Sequence, residues 1–311
     1  MEKVIANGVW PTMITPFTDD NKIDYGAVEE LLDWYAQRGV TGVFAICQSS
    51  EIFFLSPEEK LSLLQFIRGH LPAGLELIAS GHTADRLEDQ IEEAKRYVDV
   101  GVDAYVFISN RLAGPDESDA VFLRNLETAV RALPDGTRYG FYECPYPYKR
   151  LLTPEVIREI ASWGIFGFLK DTCCDAQQMK AKLEAMQGTS MKLFNANSAT
   201  LLETLRFGAA GFSGVMCNFH PELYVWLCRH FAEDPAMAER VQDILGFFSV
   251  AECQNYPVNA KYYLGLEGLH MGIQTRSKNP ADFTRNRQLE IEQMYRLTQY
   301  LKGQLGLDWG A

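Results

Sequence analysis

The 311-residue chain reads as an α/β protein, a single (β/α)8 TIM barrel with a C-terminal helical appendage. Three observations predict this. A phrase of helix, glycine stop and apolar run occurs four times; amphipathic segments separate the runs; and the alternation, continued through the gaps, gives eight strands. The predicted organisation is a barrel over residues 1–233 and a helical region over 234–311.

The repeated phrase is Gly39-Val-Thr-Gly-Val-Phe-Ala-Ile, Gly101-Val-Asp-Ala-Tyr-Val-Phe-Ile, Gly164-Ile-Phe-Gly-Phe-Leu-Lys and Gly208-Ala-Ala-Gly-Phe-Ser-Gly. Glycine takes the left-handed conformation that ends a helix, and a continuous apolar run suits a parallel strand covered on both faces. Ahead of these phrases, Val28, Leu31, Leu32 and Tyr35 share one helical face, as do Leu87, Ile91, Ala94 and Val98. Ser56-Pro57-Glu58-Glu59 combines an N-cap, a first-turn proline and a reciprocal glutamate, and Thr153-Pro154 repeats the first two. Strands are predicted near 8–15, 40–46, 75–80, 104–109, 137–142, 164–170, 192–195 and 211–215. Eight alternations without a GxGxxG after the first strand favour a closed barrel over an open doubly wound sheet. Helical patterns at 238–250, 257–266 and 281–301 form the appendage.

Hydrophobic residues make up 47% and charged residues 23%, enough apolar material for one large core. A net charge of -12 without a basic run argues against nucleic acid or anionic lipid as partner. The stretch 1–10 lacks a basic segment followed by an apolar one, and no later run spans a membrane, so a soluble cytoplasmic protein is expected. Seven cysteines without regular spacing, including the adjacent pair Cys173-Cys174, suit reduced thiols.

Active sites of such barrels lie at the C-terminal ends of the strands. Lys170 ends the sixth strand after an apolar run, where desolvation disfavours its ammonium form and raises the fraction of nucleophilic amine. The alternative is an ordinary ion pair with Asp171. Tyr142 closes the fifth strand, next to the sixth, where a phenol can move protons; alternatively it is a core aromatic. Gln48, Ser49, Ser50 and Glu51 form a polar cluster after the second strand, able to bind a carboxylate or simply to make a turn. His82 follows the third strand without ligand-like neighbours. No HxxxH or HExxH spacing supports a metal, and Cys47 and Cys144 lack a nearby basic partner.

The order of residues resembles the dihydrodipicolinate synthase and N-acetylneuraminate lyase family of class I aldolases. The resemblance spans the chain: Pro11-Thr-Met-Ile-Thr-Pro-Phe, the second strand leading to Ser49-Ser50-Glu51, Tyr142-x-x-Pro145, Gly167-Phe-Leu-Lys170-Asp171, and Gly208-Ala-Ala-Gly211 leading to Asn218 and Pro221. It implies Lys170 as a Schiff-base lysine, Tyr142 as proton-transfer residue, no cofactor and a homotetramer or homodimer. Three departures stand out. Gln48 replaces the hydroxyl that relays protons to the tyrosine; Asn110-Arg111-Leu112 stands where synthases have paired tyrosines; and the arginine expected after the Tyr-x-x-Pro element falls near Pro147, with Lys149 and Arg150 offset.

The expected function is a Schiff-base-forming aldolase, lyase or related dehydratase acting on pyruvate or another 2-oxo acid. Ser49 and Ser50, with the backbone near Ser213, are expected to hold the carboxylate, while Glu51 braces the loop. The rivals are a true dihydrodipicolinate synthase, which a coupled assay would reveal, and a non-catalytic 2-oxo acid binder, which would bind without turnover.

Overall fold

The computed structural model describes residues 4–307, so the first residues of the 1–10 stretch and the end of the 234–311 region lie outside the described residues. Eight parallel strands form one sheet: β1 (Gly8–Val9), β2 (Gly42–Ala45), β3 (Glu76–Ala79), β4 (Ala104–Ile108), β5 (Tyr139–Tyr142), β6 (Phe166–Asp171), β7 (Leu193–Asn195) and β8 (Gly211–Phe212). Their order, β1-β8-β7-β6-β5-β4-β3-β2, leaves β1 and β2 at the seam. The seam is closed by backbone bonds from Thr41 N to Val9 O (2.9 Å) and from Phe44 N to Pro11 O (2.8 Å), and by a parallel bridge between Thr12 and Phe44.

All eight strands fall inside the predicted windows apart from Asp171, one residue beyond the sixth, but β1 and β8 are much shorter than expected. Pro11 has no N–H to donate, which interrupts the ladder after Val9 and Trp10. At the other end, the backbone after Phe212 turns into a short 3-10 helix, Val215–Asn218. The glycine stops behave as read: Gly39, Gly101, Gly164 and Gly208 all have φ between +71° and +100°. Gly211 serves a different purpose, since a Cβ there would lie 1.8 Å from the Gly8 carbonyl oxygen across the β1–β8 pair. Only glycine allows the two backbones to approach so closely.

Eight helices follow the eight strands: α1 (Tyr25–Gln37), α2 (Pro57–His70), α3 (Leu87–Val98), α4 (Asp119–Ala132), α5 (Pro154–Ser162), α6 (Ala176–Ala185), α7 (Leu201–Arg206) and α8 (Pro221–His230). Ser56 caps α2 reciprocally, its hydroxyl accepting from Glu59 N at 3.2 Å while Glu59 Oε2 accepts from Ser56 N at 2.9 Å. Then come α9 (Pro235–Phe248), α10 (Val258–Leu266) and α11 (Arg285–Gln304), at the places the helical patterns indicated. Among the described residues no helix is long and apolar enough to cross a membrane.

The barrel interior is filled by rings. Phe44 on β2 and Phe168 on β6 lie on strands that are not neighbours in the sheet, yet their centroids are 6.2 Å apart. Phe194 stacks on Phe168 at 4.4 Å, and Trp10 meets both edge-on. Such contacts require these side chains to point inward. Alternation along a strand then turns Lys170, two residues after Phe168, inward above this aromatic floor. Tyr142 is the register partner of Lys170 on β5 and shares its face.

Candidate active site

A cavity of about 540 Å³ opens above the floor, with Lys170 and Tyr142 on its wall. Lys170 is 4% exposed, and its Nζ sits 4.2 Å from the centroid of the Tyr142 ring. The amine forms no hydrogen bond or ion pair among the described residues. Asp171, the alternative partner, alternates to the outside of the barrel and binds Lys182 instead, with Nζ 2.5 Å from Oδ2. Burial lowers the Lys170 pKa from its usual value; Cys47, Cys144, Glu252 and Cys217 oppose the shift. The three thiols oppose it weakly, because burial raises their own pKa values and keeps them neutral. An unpaired, desolvated amine is the form that adds to a carbonyl.

The strand ends beneath the site are clamped from outside. Lys182 on α6 reaches both Asp171 and Glu143, the latter at 2.6 Å, so one ammonium joins the residues that follow Lys170 and Tyr142. Glu143 also accepts from Leu152 N and Thr172 N. Burial and the neighbouring Asp171 carboxylate push Glu143 up to about 7, against the pull of Lys182.

After β2, a short 3-10 helix, Gln48–Ser50, brings Gln48 and Ser49 to the cavity wall. Tyr142 Oη donates to Gln48 Oε1 at 3.3 Å and Cys144 Sγ approaches the same oxygen at 3.4 Å. The phenol's pKa is pushed well above its ordinary value, chiefly by burial. An amide can accept this bond but cannot pass a proton onward at neutral pH, so the chain from Tyr142 ends at Gln48. Ser49 Oγ donates to Thr12 Oγ1 at 3.1 Å. Glu51, with φ of 61°, braces as expected: Oε1 accepts from Arg276 N (2.9 Å) and Ser277 N (2.7 Å).

Two expected substrate-binding residues are placed elsewhere. Ser50 Oγ donates to Met13 O at 2.7 Å and accepts from Cys47 N, and the residue does not reach the cavity wall. Ser213 Oγ donates to Trp10 O at 2.9 Å, and its N–H to Asn195 O at 2.8 Å, so neither donor is left for a ligand. Both hydroxyls satisfy buried carbonyls near the β1 seam, a need that the sequence does not display. The residues at the family departures also split. Tyr146 and Lys149 line the mouth, whereas Arg150 binds Gly114 O, Glu117 O and Asp119, and Asn110 donates to Cys144 O and Tyr146 O. His82 is structural: Ile108 N–H donates to its Nε2 at 3.0 Å, and burial lowers its pKa to about 3.

The C-terminal region supplies wall residues that periodicity did not reveal, including Glu252, Tyr256 and Lys278. They sit in the polar segments flanking α10. The only signal in the sequence was the interruption Glu252-Cys-Gln-Asn-Tyr256 between two helical patterns. Among the described residues, no group of three His, Cys, Asp or Glu side chains could hold a metal ion.

The sequence model described as the dihydrodipicolinate synthetase family matches residues 6–294. The chain belongs to that family. It is accordingly an enzyme of the class I aldolase and lyase type. Among curated relatives of the dihydrodipicolinate synthetase family, a 4-hydroxy-tetrahydrodipicolinate synthase from Shewanella piezotolerans is 24% identical over 278 residues, covering 85% of this chain and 89% of its own. Solved structures of the family have the same fold. A prophage protein from E. coli in complex with pyruvate superposes with a TM-score of 0.84 at 20% identity, covering 94% of this chain and 98% of its own. The Ruminococcus gnavus sialic acid aldolase gives 0.82 at 21% identity with the same coverage.

Proposed function

We propose that the enzyme is a Schiff-base-forming lyase or aldolase acting on pyruvate or another 2-oxo acid. The observation that carries this reading is Lys170 itself, an amine without an ion-pair partner, desolvated and 4.2 Å from the Tyr142 ring centroid inside the barrel mouth. Its Nζ adds to the ketone to give a carbinolamine, and loss of water yields the imine. The protonated imine is an electron sink for the adjacent carbon, so no metal is needed to stabilise the enamine. Tyr142 lies close enough to exchange a proton with the carbinolamine oxygen. In this reading Ser49, in the short 3-10 helix on the cavity wall, receives the carboxylate.

True dihydrodipicolinate synthase is the second reading, favoured by the names of the curated relatives. Against it, Arg150 is engaged with Asp119, and Asn110, at the position of the synthase phenols, with carbonyl oxygens, so neither of these two side chains reaches the cavity. A coupled assay with pyruvate and aspartate semialdehyde separates the two, and binding without turnover across a panel of aldehydes would point to a 2-oxo acid binder. A cytoplasmic location and assembly as a homotetramer or homodimer belong to the same proposal, the assembly being measurable by sedimentation. The reading is tested by borohydride reduction with pyruvate: an adduct on Lys170, absent in Lys170→Ala, is expected. An adduct that persists in Lys170→Ala refutes it.

A further inference from the structure

We infer that Glu252 is the acid–base residue of the reaction, carrying the proton between a substrate hydroxyl and the carbon next to the imine. The inference rests on the Schiff-base reading above and adds to it the residue that the strand-end motifs leave out. Three observations converge on it.

The first is the dead end at Gln48. Tyr142 hands its hydrogen bond to an amide oxygen, and burial of the phenol works against its ionisation. Tyr142 then serves the carbinolamine oxygen, and the proton that moves between substrate hydroxyl and carbon calls for a second group.

The second is position. Glu252 belongs to the 3-10 helix Ser249–Cys253, which follows α9, and its carboxyl lines the same cavity as Lys170. The charges of the two groups influence each other. The remaining groups facing Glu252 are Tyr224 on α8 and Tyr256 ahead of α10, both phenols kept neutral by burial, with Cys253 and Lys278 on the same wall.

The third is availability. Glu51, the other carboxyl on the wall, has Oε1 occupied by two backbone N–H groups and Oε2 facing Lys261. Lys149 donates to Thr172 O. Glu252 is half-buried and forms no hydrogen bond or ion pair among the described residues. Burial raises its pKa above the ordinary carboxylate value, against the pull of Lys170.

The step balances without a co-reactant. In the cleavage direction the substrate is a 2-oxo acid bearing a hydroxyl two carbons from the ketone, held as the Lys170 imine. The Glu252 carboxylate accepts the hydroxyl proton, the carbon–carbon bond between that centre and the carbon next to the imine breaks, and its electron pair flows into the iminium. An aldehyde leaves and an enamine remains. Glu252 returns the proton to the enamine carbon, and water releases the shortened 2-oxo acid.

Pyruvate alone tests this, because in the Schiff-base reading the enzyme-dependent exchange of its methyl protons with solvent runs through the enamine. Exchange in deuterated water is followed by NMR for wild type, Glu252→Gln and Glu252→Asp, together with the endpoint yield of the borohydride adduct. The expected result is an adduct yield in Glu252→Gln equal to wild type, with exchange slowed about 100-fold or more. At saturating pyruvate, wild-type exchange falls as pH drops through the carboxyl pKa, an acid limb that Glu252→Gln lacks; Glu252→Asp recovers part of the rate. Wild-type exchange rates in Glu252→Gln overturn the inference while leaving the imine intact. Loss of both adduct and exchange in Glu252→Gln also overturns it, because Glu252 then only holds the site together. Failure of the wild type to form an adduct is the separate failure of the Schiff-base reading.

Discussion

Lys170 and Tyr142 meet because strand chemistry leaves them little choice. Phe168 must point inward to reach Phe44 and Phe194, Lys170 follows two residues later, and register on β5 sets Tyr142 beside it. That pairing was legible in the sequence, since it depends only on alternation and strand order. The roles assigned to Ser50 and Ser213 were not. A hydroxyl's direction is decided by which buried carbonyl lacks a donor, here Met13 O and Trp10 O, and that need exists only after the chain has closed. Tyr142→Phe removes one hydrogen bond, to Gln48. Its effect on stability is therefore expected to stay within about 1 kcal/mol, while turnover falls roughly 100-fold. Urea unfolding and steady-state kinetics check the two halves of this expectation.

At the level of elements, the ends of β5 and β6 are tied to α6 by Lys182, 3% exposed between the Glu143 and Asp171 carboxylates. Removing one partner of a buried ion network leaves uncompensated charge in a dry environment. Lys182→Met is thus expected to destabilise the fold by about 3–5 kcal/mol and to loosen the Lys170–Tyr142 geometry. Urea unfolding measures the first effect and the rate of adduct formation the second. Strand windows could be read from glycine stops and apolar runs, but the lengths of β1 and β8 could not. They depend on where the seam can form, with Pro11 interrupting one ladder and Gly211 pressed against Gly8 O.

At the level of the whole molecule, the C-terminal region is part of the site. Glu51 bonds to the backbone of Arg276 and Ser277, and the Arg276 guanidinium clasps Glu59, whose pKa falls to about 2. These contacts fix the part of the cavity wall that carries Ser277 and Lys278. Their partners lie more than 200 residues apart, which is why helical periodicity predicted α9, α10 and α11 but not where the segments between them would go. Lys261 on α10 anchors the same junction. It is fully buried 3.9 Å from Glu51, and burial lowers its pKa to about 7. The folded chain therefore binds fewer protons than the unfolded chain between about pH 7 and the ordinary lysine value near 10.5. Stability should rise with pH across that window, by up to about 1.4 kcal/mol per unit from this group. Lys261→Met should flatten the rise, as urea unfolding at pH 7 and pH 10 would reveal.

The claim beneath all of this is a free amine at position 170 that condenses with a 2-oxo acid. Borohydride reduction in the presence of pyruvate, followed by peptide mass analysis, addresses it most directly. A single pyruvyl adduct on the peptide carrying Lys170 is the predicted result; an unmodified Lys170, or an adduct on another lysine, would contradict it.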